Sequence, residues 1–63
     1  TSKKVTLLVK AVLLRSGYHV GSLNNKMTAK FKAAIYKFQK NNGIIATGNL
    51  NLTTLRLLGI MSE

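Results

Sequence analysis

The four-residue phrase Gly21-Ser22-Leu23-Asn24 returns as Gly48-Asn49-Leu50-Asn51, and no other feature constrains the fold of this chain as tightly. Each copy follows a helix-like run that ends in a glycine and an apolar residue, Gly17-Tyr18 before the first and Gly43-Ile44 before the second. Each copy then leads into a further apolar segment. A glycine at such a point supplies the left-handed residue on which a helix stops. The pattern therefore predicts two helix–turn units and a closing helix within 63 residues.

The local signals fill in that outline. Ser2 is placed to cap a first helix near residues 3–16. In it Val5, Leu8, Val9 and Val12 follow the i, i+3, i+4, i+7 pattern of a buried stripe, which Leu7, Leu13 and Leu14 widen. Thr28 caps a second helix near residues 28–42, whose inward stripe is Phe31, Ala34, Ile35 and Phe38. Asn51 caps a third near residues 51–58, with Leu52, Leu55 and Leu58 facing inward and Leu50 stapled against Leu55. In the loops, Tyr18, Val20, Leu23 and Met27 are expected to plug into the core, and Ile44 and Ile45 to anchor the second turn. Gly17, Gly21, Asn24 and Asn25 are positions that tolerate positive φ. Period-two alternation is missing, so no strand is predicted. The expected fold is all-α, a small three-helix bundle with two ordered loops, forming a single monomeric domain over residues 1–63.

A core this small supplies only about 3–5 kcal/mol of net stability, and with no cysteine there is no disulfide to add to it. The side-chain inventory also excludes most chemistry. His19 is the only imidazole and Glu63 the only side-chain carboxylate. A general acid–base pair, a metal triad and a Ser-His-Asp arrangement all need more than that. The reading is of a non-catalytic binding module with no cofactor and no metal, in which His19 is a polar loop residue.

Ten Lys and Arg against one acid give a net charge of +9. Such a field concentrates anionic partners around the protein. Nucleic acid, anionic lipid and anionic cell-wall polymers all answer that description. No apolar run approaches the ~20 residues of a membrane-spanning helix, and any export signal is expected in a longer parent chain.

A binding face can be sketched on the second helix. At about 100° per residue, Lys32 and Gln39 share one flank of the apolar stripe, Lys30 and Lys37 share the other, and Tyr36 and Lys40 point away from the core. A lysine-and-amide flank beside a loop carrying Asn24 and Asn25 suits a ligand with hydroxyls, amides and carboxylates. The candidate ligand-binding residues are Asn24, Asn25, Lys32, Gln39 and Asn42.

The residues Gly17-Tyr18, Gly21, Leu23-Asn24, Ala33-Ala34-Ile35, Phe38-Gln39, Gly43-Ile44, Thr47-Gly48, Leu50-Asn51 and Thr54 stand in the order and spacing of a known pattern. Through them the chain resembles the peptidoglycan-binding domain family, a small three-helix module appended to bacterial wall amidases, muramidases, carboxypeptidases and transpeptidases. The match runs without a gap over residues 6–58. It implies a cell-wall-binding role in the cell envelope (periplasmic, wall-associated or secreted), with peptidoglycan or an associated anionic polymer as partner. It also implies a domain cut from a larger protein, one that holds an attached hydrolase or other remodelling partner at the wall. Five positions depart from the family's pattern: Asn24-Asn25 replaces Asp-Gly, Thr28 a glycine, Phe31 a threonine and Lys10 a glutamine.

Three other readings compete. Nucleic-acid binding is disfavoured because the lysines are scattered over all helices and arginine, the preferred base reader, occurs only at Arg15 and Arg56. Membrane-surface binding is disfavoured because the apolar helix faces are expected to cover one another. Docking onto a protein of a wall-associated complex stays open.

Overall fold

The computed structural model describes residues 2–60, and among them the only regular elements are three helices: α1 (Lys3–Arg15), α2 (Ala29–Asn41) and α3 (Leu52–Leu57). The expected bundle and its order are what the structure shows.

Both ends of every helix are closed by short local devices. At the N-termini, Ser2 Oγ accepts from Val5 N–H at 3.1 Å, Thr28 Oγ1 from Phe31 N–H at 3.2 Å, and Asn51 Oδ1 from Thr54 N–H at 2.9 Å. Each satisfies an amide that the helix itself leaves without a partner. At the C-termini one motif is used three times. Tyr18 N–H donates to Leu13 O, Ile44 N–H to Gln39 O and Ile60 N–H to Leu55 O, and the preceding Gly17, Gly43 and Gly59 make companion bonds of smaller sequence span to Leu14 O, Lys40 O and Arg56 O. That double bond pattern demands a left-handed residue, and all three glycines have positive φ.

The core is built from Val9 and Leu13 of α1, Val20 of the first loop, Phe31, Ala34, Ile35 and Phe38 of α2, and Leu55 of α3. Val5, Tyr18, Leu50, Leu58 and Ile60 pack around it. Burying a side chain of this kind is worth about 1.5–3 kcal/mol, so few of these positions can be lost from so small a domain. The stripe expected on α2 is the stripe observed.

On α1 the observed face differs. Thr6, Val9, Lys10 and Leu13 are buried, whereas Leu7, Leu8 and Leu14 stay half-exposed and Val5 and Val12 lie at the margin. This helix is apolar nearly all round, so periodicity alone does not choose its inward side. The choice falls to the side that brings Lys10 to its acceptors in the first loop, while Thr6 Oγ1 is satisfied by Ser2 O within its own turn. Other apolar residues expected inside are also displaced. Leu23 is 56% exposed, Met27 41%, Ile45 83% and Leu52 49%. On α3 the inward position taken from Leu52 belongs to Thr54, which is fully buried. Asn24 and Asn25 do not use the left-handed region: every positive φ among the described residues belongs to a glycine.

Candidate functional site

The repeated phrase has a common physical role in its two settings. In the first loop Asn24 N–H donates to Ser22 O at 3.0 Å, and in the second Asn51 N–H donates to Asn49 O at 3.1 Å. Gly21 and Gly48 both have φ of 78°. In each loop the carbonyl that takes this bond also takes a second one, from a buried polar side chain reaching out of a helix.

For the first loop that side chain is Lys10. Its Nζ donates to Ser22 O at 3.2 Å and to Asn24 Oδ1 at 2.8 Å, and lies 5.0 Å from the centre of the Phe31 ring. Asn24 Oδ1 accepts again from Lys26 N–H at 3.1 Å, which shapes the way into α2. A lysine can be fully buried in this way because its ammonium meets oxygen acceptors and an aromatic face while its stem stays among apolar groups.

For the second loop the side chain is Gln39, also fully buried. Its Oε1 accepts from Thr47 N–H at 2.8 Å and Gly48 N–H at 2.9 Å. Its Nε2 donates to Thr54 Oγ1 at 2.8 Å and Asn49 O at 2.9 Å, with Thr47 Oγ1 further off at 3.4 Å. Thr54 Oγ1 then donates to Asn51 Oδ1 at 2.6 Å. One amide thus ties α2, the second loop and the start of α3 together. Among the described residues no buried side-chain nitrogen or oxygen lacks a partner.

The five residues expected to touch ligand do not converge on one place. Gln39 is removed from that role, because its amide is enclosed and both of its ends are occupied. Asn42 ends α2, where its Nδ2 donates to Phe38 O at 2.7 Å. Lys32 is exposed on α2, with its backbone beside Gly48: a Cβ on that glycine would sit 3.4 Å from Lys32 O. Asn24 and Asn25 do share a hollow, of about 280 Å³, and its other walls are Lys3, Lys4 and Leu7 of α1. Neither Lys3 nor Lys4 is among the ligand-binding residues expected from the sequence. No local signal joins them to the loop; only the folding of the first loop against the start of α1 brings them together.

Two further hollows lie elsewhere. One, of about 350 Å³, is edged by Gly43, Ile44, Ile45, Asn51 and Thr53. The other, of about 220 Å³, lies between the turn at Gly17, Tyr18 and His19 and the α2 residues Lys30, Ala33, Ala34 and Lys37. The only side-chain carboxylate of the chain, Glu63, lies outside the described residues. The lysines that line these hollows therefore face no acidic side chain among the described residues, and the site chemistry is cation plus amide. No three His, Cys, Asp or Glu residues come together there to hold a metal ion, and none of the helices is long and apolar enough to cross a membrane.

Comparison with known proteins returns one family. Its model, described as a peptidoglycan binding domain, matches residues 3–58 and so takes in all three helices, both loops and the polar clips of Lys10 and Gln39. No curated protein and no solved structure gives a significant match. With a family model laid over nearly its whole length, the chain belongs to the peptidoglycan binding domain family and is, by that membership, a cell-wall binding module.

Proposed function

We propose that the domain is a non-catalytic targeting module of the cell envelope, which holds an attached hydrolase or other wall-remodelling partner at peptidoglycan. The observation that carries this reading is the family match over residues 3–58. The surface chemistry supports it. The hollow of Lys3, Lys4, Asn24 and Asn25 offers two ammonium groups and two amides beside the apolar Leu7. Stem peptides carry carboxylates and amides, and wall-associated polymers carry phosphates. Lysine makes charge-assisted hydrogen bonds to either anion, while the asparagines suit peptide and acetamido groups. Lys32, exposed on α2 beside the second loop, adds to the positive field of the domain.

Co-sedimentation with purified sacculi tests the reading. Charge attraction between exposed groups is screened over ~8 Å at physiological salt, so part of the binding should fall as salt rises. Hydrogen bonding by Asn25 should resist that screening. Asn25→Ala should lower the salt-resistant fraction, and Lys4→Ala and Lys32→Ala the salt-sensitive one. Binding that vanishes at moderate salt, and that Asn25→Ala leaves unchanged, would defeat specific recognition.

A second reading draws on the outer side of α1. Leu7, Leu8 and Leu14 remain half-exposed there, so the helix keeps an apolar surface that the bundle does not cover. This favours contact with a protein of a wall-associated complex over a purely glycan- or peptide-directed role. Sacculi stripped of protein distinguish the two, since retention on bare wall needs no protein partner.

A further inference from the structure

We propose that the hollow between the Gly17-Tyr18-His19 turn and α2 is a subsite for the C-terminal end of a short peptide finishing in an alanine-sized residue. This rests on the wall-binding reading above and assigns the ligand chemistry of one hollow that the sequence did not single out. Lys30 and Lys37 stand seven residues apart on the same flank of α2, about 10 Å along its axis, with Ala33 and Ala34 between them. The floor is therefore methyl-sized and apolar, and a cation stands at each end.

The surroundings hold this shape. Tyr18 is fixed from two sides: its ring meets Phe38 edge-on at 6.1 Å, and its hydroxyl accepts from Asn41 Nδ2 at 3.1 Å. The aliphatic stem of Lys30 runs past Gly21, where a Cβ would come to 3.4 Å of Lys30 Cδ. A glycine there leaves the stem its path across the first loop. Neither ammonium group, nor the exposed His19 ring, has a carboxylate partner among the described residues.

Size and charge select the occupant. At about 220 Å³ the hollow is smaller than the ~300–1,000 Å³ of sites that enclose a drug-sized ligand. It can take the end of a chain and not a disaccharide. A bare phosphate would satisfy the lysines but leave the alanine floor wet. A terminal carboxylate beside a methyl group uses both, with the ammonium groups on the oxygens and the alanine side chains under the methyl. His19 is placed to meet the preceding peptide group.

The test is a titration of the isotope-labelled domain, followed by nuclear magnetic resonance, with N-acetyl-D-alanyl-D-alanine, its C-terminal amide and inorganic phosphate. The free acid should shift His19, Lys30, Ala33 and Lys37, and the amide should bind about tenfold more weakly, the cost of one charge-assisted contact. The exposed pair Lys30→Gln and Lys37→Gln should weaken the acid to the level of the amide, while Lys40→Gln should not. Ala33→Leu, which fills the floor and leaves the charges, should also abolish the shifts. The inference is overturned if the acid shifts nothing in this hollow, if acid and amide bind alike, or if phosphate reproduces the same shifts. Sedimentation with sacculi, run on the same variants, separates the two conclusions. Wall binding that persists while the peptide shifts nothing defeats this subsite alone, whereas loss of wall binding in the unaltered domain defeats the targeting role.

Discussion

The Nζ of Lys10 stands 2.8 Å from Oδ1 of Asn24, so a fully buried ammonium group meets an amide where the family pattern offers a carboxylate. Both residues are departures from the pattern that the sequence resembles, lysine for its glutamine and asparagine for its aspartate, and in this fold the two departures meet each other. The positive charge is held by Asn24 Oδ1, the Ser22 carbonyl and the Phe31 ring.

Asn24→Asp should therefore stabilise the domain. It gives the ammonium an ionised acceptor at the same place, and such bonds exceed neutral ones by about 1 kcal/mol. Lys10→Met keeps the stem but leaves the Ser22 carbonyl and Asn24 Oδ1 each one donor short, and should cost about 1–3 kcal/mol. Urea midpoints of the two variants should move in opposite directions; a lower midpoint for Asn24→Asp would show that the pocket is tuned to a neutral partner.

Gln39→Ala removes a donor and an acceptor from the interior at once. Thr47 and Gly48 lose the acceptor of their amides, and Asn49 O and Thr54 Oγ1 lose a donor. At about 1–3 kcal/mol per buried group left unpaired, the variant should lose most of its stability. Its capacity for sacculi should fall only in proportion to the folded fraction measured by circular dichroism. A fully folded Gln39→Ala domain that no longer binds wall would return this residue to the binding face.

Asn51 and Thr28 both cap helices, but they should not be equal. Asn51 Oδ1 serves two donors, the amide and the hydroxyl of Thr54, whereas Thr28 Oγ1 serves only the Phe31 amide. Asn51→Ala should cost about 2 kcal/mol and Thr28→Ala about 1 kcal/mol. Parallel urea titrations measure the difference, and equal losses would mean that the Thr54 hydroxyl finds another acceptor.

Phe38→Ala should cost about 3–5 kcal/mol, comparable with all that a core this size provides. It empties an inward position of α2 and takes away the edge contact that positions Tyr18. A cooperative thermal melt in this variant would place Phe38 outside the critical packing.

The helices and their ends were legible in the sequence because their causes are local. Ser2, Thr28 and Asn51 cap within three residues, and the glycines that stop each helix need no knowledge of the rest of the chain. The inward face of α2 was legible for a similar reason, since its apolar residues fall on one side only. The face of α1 was not. Leu7, Leu8 and Leu14 compete with Val9 and Leu13, and the decision is made by Lys10, whose acceptors lie 12 and 14 residues further on. Gln39 shows the same limit on the site. Its direction from the helix axis was readable, but its depth was not, because the segment that covers it comes from residues 47–54. Asn25 was placed on the surface correctly, yet its neighbours Lys3 and Lys4 come from the far end of the first unit and leave no mark on the local sequence.

Loops are ordinarily where a protein exchanges its amide hydrogens first. The amides of Thr47 and Gly48 point instead at an oxygen inside the core, so the second loop should keep the slow clock of α2. Their exchange should be as slow as that of the α2 amides, and should quicken with theirs in denaturant. A domain tethered to a stressed polymer would then have no slack to release from this turn before the whole fold gives way.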